Sequence, residues 1–119
     1  MLSYNYRFHG HSSLRYVFKN GEATRSRDLT LRWSVNKHRK TSRFSVSISK
    51  KVLKSAVKRN RVRRRLYEII RLALAEFSGT YDIVFIVTSA ELLTLDHDSL
   101  RESVFKTLRE AGLLRTPVS

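Results

Sequence analysis

Hydrophobic and polar positions alternate in two short runs near the middle of the chain. In "DLTLRWSV", Leu29, Leu31, Trp33 and Val35 fall on one side, with Thr30, Arg32 and Ser34 on the other. In "RFSVSIS", Phe44, Val46 and Ile48 alternate with Ser45, Ser47 and Ser49. A period of two predicts half-buried strands. The basic turn "NKHRKTS" lies between the runs, so they are expected to form an antiparallel pair. A further short strand is weakly signalled over Glu22 to Arg27. "DIVFIVT" is different: nearly continuous, branched and apolar. It is too short for a buried helix and reads as a strand covered on both faces.

A helical period governs three other stretches. "SSLRYVFKNG" predicts a short helix capped by Ser12 or Ser13, with Leu14, Val17 and Phe18 on one face. Asn20-Gly21 should end it, because glycine readily enters the left-handed conformation. Residues 55 to 77 contain no glycine or proline, and Val62, Leu66, Ile69, Ile70, Ala73 and Phe77 form a stripe. Ser55 suits the N-cap and Gly79 breaks the run. The last helix is expected from Asp96 or His97 to Ala111, lined by Leu100, Val104, Leu108 and Ala111. Asp96 can cap it, Asp98 suits its first turn and Gly112 can stop it. Residues 1–12 read as a basic, aromatic lead-in, 13–112 as a folded core and 113–119 as a tail. Together they make one domain, a size suited to one modest core.

Charge changes the picture. The 119 residues carry 24 Lys and Arg against 10 Asp and Glu, a formal charge of +14. Solubility requires far less, and a field of this strength attracts polyanions. Nucleic acid is the first candidate partner. An anionic membrane surface and a scaffold role within a ribonucleoprotein compete with it. There is no cysteine, so disulfides and thiolate metal sites are excluded. No stretch approaches the length of a transmembrane helix, and "MLSYNYRFHG" lacks an apolar signal core, so a cytoplasmic protein is expected.

The charge concentrates in "KKVLKSAVKRNRVRRRLYE", residues 50 to 68. With Ser55 at the N-cap, Lys58, Arg59 and Arg61 occupy the start of a helix, where positive charge is disfavoured by roughly 0.3 to 1 kcal/mol per exposed residue. Like charges three and four residues apart add smaller penalties. A docked anion reverses both effects. On a helical wheel Asn60, Arg61, Arg64 and Arg71 oppose the apolar stripe, Arg63 and Arg65 flank it, and Arg59 extends it. Arg59 is therefore expected to lay its stem on apolar surface and its head in a groove. An exposed basic face without a specific partner remains an alternative, and so does a DNA-reading helix. The segment alone does not choose between DNA and RNA.

Candidate catalytic groups do not gather. Phosphodiester hydrolysis generally requires clustered carboxylates for metal ions or positioned acids and bases. Asp82 starts a strand, Asp96 and Asp98 suit a helix start, and Glu68 and Glu76 lie along the long helix. His9 and His11 could meet a metal ion, but the lead-in gives them no frame, and His97 serves a helix end.

"FSVSISKKVLKSAVKRNRVRRRLYE" closely resembles the signature of the bacterial ribonuclease P protein component. The match runs from Ser49-Lys50-Lys51 through Ala56-Val57 and Arg59-Asn60-Arg61 to Arg63-Arg64. "SLRYVFKNG", "DLTLRWSV" and "YDIVFIVTS" resemble other elements of that family, so the likeness covers most of residues 7 to 110. The resemblance implies a small two-layer α/β (α+β) sandwich with a four-stranded sheet. Its order would be helix, three strands, helix, strand, helix, with a left-handed crossover as in the second domain of a small-subunit ribosomal protein. It implies the non-catalytic accessory subunit of a ribonucleoprotein endonuclease that removes the 5' leader of precursor tRNA. Its partners would be the catalytic ribonuclease P RNA and precursor tRNA, with no membrane and no obligate protein partner. Magnesium would be held mainly by the RNA.

By the same resemblance, Lys50, Lys51, Arg59, Asn60, Arg61, Arg63 and Arg64 would face the catalytic RNA, with Lys58 and Arg65 beside them. Val17, Phe18, Lys19 and Arg32 would line the leader cleft, extended by Arg7, Phe8, Ser45 and Ser47. The basic loop "NKHRK" would add a weaker contact. There are departures: Leu14 replaces a frequent Phe, Arg32 a frequent aromatic and Tyr67 a common basic residue. Arg32 could meet a phosphate or stack by its guanidinium plane.

Overall fold

A computed structural model of the chain describes residues 6–7, 11–37 and 40–115. Phe8, His9, part of the basic loop and the end of the tail lie outside the described residues, as do the side chains of His11, Ser12 and Ser13. The elements are α1 (His11–Asn20), β1 (Glu22–Arg25), β2 (Leu29–Val35), β3 (Arg43–Ile48), α2 (Ala56–Ala73), β4 (Tyr81–Val87) and α3 (His97–Glu110). This is the expected order of elements. Short 3-10 turns at Leu74–Glu76 and Ala90–Leu93 extend α2 and follow β4.

The four strands form one sheet in the order β1-β2-β4-β3. The expected antiparallel pairing of β2 with β3 does not occur. β4 lies between them, antiparallel to β2 and parallel to β3. Alternation reveals which face of a strand is buried, not which strand is its neighbour. β4 takes the centre because Ile83, Val84 and Phe85 are apolar on both of its faces and all three are buried there. The weakly signalled strand is real, with Glu22–Arg25 paired antiparallel to β2.

Register divides the sheet into two faces. One face carries the aligned rows Trp33, Ile83, Phe44; Leu31, Phe85, Val46; and Leu29, Val87, Ile48. α2 and α3 close it with Val62, Leu66, Ile69, Ile70 and Ala73, and with Leu100, Val104 and Leu108. The opposite face carries Arg32, Val84, Ser45 and then Thr30, Ile86, Ser47. α1 packs against β2 and β4.

Helix ends follow side-chain chemistry in two cases of three. Ser55 Oγ accepts from the Lys58 backbone N–H at 3.3 Å, and an Asp96 carboxylate oxygen accepts from that of Ser99 at 3.1 Å. Gly112, at φ 76°, turns the chain out of α3 while the Leu113 N–H returns to the Leu108 carbonyl at 3.1 Å. α1 differs. It begins at His11, so Ser12 and Ser13 lie inside its first turn rather than at its cap. Gly21 is not left-handed, because Gly112 is the one described residue with positive φ. Gly21 is required by crowding: a Cβ there would stand 2.4 Å from the Val17 carbonyl oxygen and 2.7 Å from that of Trp33. At the other end of the chain, Leu113 is fully buried and Leu114 bridges Phe77, so packing runs past residue 112.

Among the described residues one ion pair is buried. Arg43 donates from Nε to Asp82 Oδ1 at 3.0 Å and from Nη2 to Oδ2 at 2.7 Å. Asn36 Nδ2 reaches both oxygens, at 3.0 and 3.1 Å. Asp82 is 6% exposed. The fork fits a planar guanidinium to a planar carboxylate and links β3, β4 and the end of β2. Asp82→Ala takes from the buried Arg43 guanidinium its bidentate carboxylate, so it should lower unfolding free energy by about 3 kcal/mol in urea titration. Asp96 gives a pH signature. Hydrogen bonds from Ser99 hold its carboxyl below the ordinary aspartate value. A lowered folded pKa contributes stability that is complete above the unfolded value and is lost as pH falls through the folded one. The difference in Tm between the wild type and Asp96→Ala should therefore shrink on acidification through that range.

Candidate nucleic-acid interface

The turn after β3 begins the basic surface. The Ser49 carbonyl accepts from the N–H groups of Val52 and Leu53, at 3.1 and 3.2 Å. This tight turn throws Lys50 and Lys51 outward while Leu53 anchors in the core. α2 then starts at its Ser55 cap with no acidic residue in its first turn. Lys58, Asn60, Arg61 and Arg64 are exposed, as the wheel predicts, because the opposite stripe is committed to the sheet. Among the described residues the side chains of Lys50, Lys51, Lys58, Arg61 and Arg64 make no hydrogen bond or ion pair.

The other three arginines of the cluster are engaged. Arg59 Nη1 donates to the carbonyls of Leu53 and Lys54, at 2.8 and 2.9 Å. Its head closes the loop before α2 instead of lying in an open groove. Arg63 Nη1 donates to Asn60 Oδ1 at 2.9 Å, and its Nε points to the Val46 carbonyl on β3 at 3.5 Å. Arg65 donates to the carbonyls of Leu92 and Leu93, at 2.8 and 2.9 Å, and to that of Leu95. Three carbonyls around one guanidinium fix the turn after β4 against α2. The wheel puts Arg65 on the flank of the stripe and the resemblance set it beside the RNA-facing cations, but neither shows what other loops bring to it. Farther along α2, Glu68 receives Arg71, whose hydrogen bond lowers the Glu68 pKa. The helix is thus paired in its second half and uncompensated at its start.

A second surface lies on the α1 side of the sheet. Phe18 is 44% exposed. The Arg32 guanidinium stands 5.7 Å from the centre of its ring and donates to the Phe18 carbonyl, one of the last in α1. A cation there complements the negative end of the helix dipole. Leu14, Arg15, Phe18 and Lys19 line a shallow depression of about 510 Å³. Ser45 is half-buried and Ser47 exposed on β3. Val17 has no exposed surface, so it supports this wall from beneath. Arg15 was missed by sequence reasoning, although its spacing from Phe18 and Lys19 puts all three on neighbouring helical positions.

The carboxylates do not converge. Among the described residues no three His, Cys, Asp or Glu side chains come together to hold a metal ion. Asp82 is held by Arg43 and Asn36, and Asp96 by the start of α3. Among the described residues no helix is long and apolar enough to cross a membrane.

Residues 2–112 match the family model described as Ribonuclease P. The chain belongs to the Ribonuclease P family. It is 40% identical over 65 residues to the ribonuclease P protein component of Chloroflexus aggregans, covering 55% of this chain and 48% of that protein. The chain thus spans about half the length of this relative. A fuller match is the ribonuclease P protein component of Caldanaerobacter subterraneus, 35% identical over 97 residues, or 82% of this chain and 81% of that one. The solved RNase P protein of Staphylococcus aureus superposes with a TM-score of 0.81 at 22% identity, over 92% of this chain and 98% of that chain. That likeness shows the family's fold.

The contrast between engaged and outward arginines is measurable without RNA. Arg65→Ala should destabilise the free protein by about 2 kcal/mol, since it strands carbonyls that accept from a charged donor. Arg61→Ala and Arg64→Ala should each remain within about 0.5 kcal/mol of the wild type in the same urea titration.

Proposed function

We propose that this chain is the protein subunit of a cytoplasmic ribonuclease P ribonucleoprotein. It binds the catalytic RNA and the 5' leader of precursor tRNA, and so promotes endonucleolytic release of the leader. The observation that carries the reading is the acid-free start of α2 in a member of this family. There Arg61 and Arg64, with Lys58, Lys50 and Lys51, present unpaired cations on one side of the domain.

In this reading the protein contributes position and charge rather than a reacting group. The cations at the start of α2 screen phosphates of the catalytic RNA, and Asn60 and Arg63 set the edge of that surface. The depression beside α1 takes the single-stranded leader. Phe18, Lys19 and Arg32 form its wall, and Ser45 and Ser47 its floor along β3. Arg32 covers one side of the Phe18 ring, so the leader meets a guanidinium there as well as an aromatic face. Among the described residues the carboxylates do not converge, and this reading assigns magnesium and the cleavage step to the RNA. Screening by protein cations lowers the magnesium concentration the RNA requires.

Reconstitution with a ribonuclease P RNA is the direct test. The protein should stimulate cleavage of precursor tRNA at the leader junction at low magnesium. RNA binding without stimulation would favour a structural or chaperone-like RNA-binding protein, and cleavage by the protein alone would overturn the accessory role. Replacing both Arg61 and Arg64 by Ala should flatten the plot of log K against log salt for the catalytic RNA by about 0.7–0.9 per lost phosphate contact.

A further inference from the structure

The parallel strands β3 and β4 begin side by side, with Arg43 opposite Asp82. α2 and the 3-10 turn after it bring the chain back to this end at Phe77. The start of the chain arrives there too. The Arg7 backbone forms a parallel bridge with Phe44, and its guanidinium stands over the Tyr67 ring of α2, 5.3 Å from the centre. Tyr6, next to that bridge, packs against the core, as does Leu74. The convergence leaves a pocket of about 170 Å³. Tyr6, Leu74 and Phe77 give it an apolar, aromatic lining, and Lys40, Ser42 and Thr80 supply polar groups. It lies at the far end of α2 from the basic start, about 27 Å away along 18 helical residues.

The polar groups of this pocket have donors to spare. Ser42 is 8% exposed. Its Oγ accepts from the Tyr81 N–H at 2.9 Å, and its own proton has no acceptor among the described residues. A buried hydroxyl that accepts without donating leaves half its capacity unused. The Thr80 hydroxyl makes no hydrogen bond among the described residues, although the Thr80 carbonyl accepts from the Asn36 N–H at 2.9 Å. The exposed Lys40 side chain makes no hydrogen bond or ion pair among them either.

We propose that this pocket receives one unstacked nucleotide of RNA, with its base against Tyr6 and Phe77 and its phosphate on Lys40. The volume is below the roughly 300–1,000 Å³ of pockets that enclose drug-sized ligands, and a single ring system is what it admits. A base offers π faces to the aromatic lining, and ring nitrogens or carbonyl oxygens to the Ser42 and Thr80 hydroxyls. A phosphate brings the charge that Lys40 meets, with Lys37 exposed on the same loop. An apolar occupant would leave all three donors unused. The inference rests on the ribonuclease P reading for which RNA supplies the nucleotide, the catalytic RNA or precursor tRNA. It gives the domain a second grip on RNA, separate from the start of α2 and from the depression beside α1.

The test uses the full chain with Thr80→Leu, which fills the pocket, and Lys40→Ala, at an exposed position. Each variant is titrated with ribonuclease P RNA and with precursor tRNA over a salt series. Each complex is probed with dimethyl sulfate for adenine and cytosine and with a carbodiimide for uracil and guanine. Thermal unfolding monitors folding. One unpaired base should be protected by the wild type and become reactive again with Thr80→Leu. The RNA that carries the protected base identifies the source. Thr80→Leu should bind that RNA roughly five- to tenfold more weakly. Lys40→Ala should reduce its salt slope by about 0.7–0.9. Unchanged affinity and base protection in a folded Thr80→Leu would overturn the proposal. So would weaker binding with no change in base reactivity. An unchanged salt slope in Lys40→Ala would also overturn it, and decides the matter if Thr80→Leu does not fold. Wild-type RNA binding by Arg61→Ala/Arg64→Ala would instead overturn the ribonuclease P reading itself.

Discussion

The stripe of Val62, Leu66, Ile69 and Ile70 pressed onto the sheet decides where every charge of α2 can go. All four side chains are fully buried against a face built from Leu29, Leu31, Phe44, Ile83 and Phe85. Each contributes roughly 1.5–3 kcal/mol by leaving water. A like-charge pair on the same helix opposes this by only a few tenths of a kcal/mol. Burial therefore wins by a wide margin. The helix can carry a crowd of cations because its inner side has fixed it in place.

That margin separates two uses of arginine on one helix. Arg59 and Arg65 lie toward the stripe and meet backbone carbonyls of adjoining loops. They satisfy acceptors that burial would otherwise strand, and so serve the framework. Arg61 and Arg64 lie opposite the stripe and face solvent. Arg63 is intermediate, joined to Asn60 and aimed at β3. The surface is thus graded rather than uniform. Its outward members are free to meet phosphate, and its inner members keep the loops from shifting beneath them.

Much of this was legible in the chain. Periodicity located all the long elements, and the α2 wheel separated outward from flanking residues correctly. Ser55, Asp96 and Gly112 could be read as helix signals because capping is local chemistry. Strand neighbours could not be read, since β2 and β3 have well-defined faces but nothing in their alternation says that β4 comes between them. Nor could the engagement of Arg65 be read, because Leu92, Leu93 and Leu95 are 27 to 30 positions away. The Asp82–Arg43–Asn36 cluster was missed for the same reason, being assembled from three separate segments. The candidate leader wall was partly legible: Phe18 and Lys19 stood out, but the depth of Val17 follows from how α1 seats on the sheet.

Gly21 acts as a spacer gauge between α1 and β2. With only hydrogen at that position, the end of the helix can approach the Trp33 carbonyl closely, and the Val17 carbonyl can accept from the Gly21 N–H at 2.9 Å. The first methyl group added there would meet backbone on two sides, and backbone yields less readily than a flexible side chain. The helix would have to tilt or lift, carrying Phe18 away from Arg32. The breadth of the trough beside α1 is therefore dictated by an atom that is missing, at a residue that does not itself face the trough.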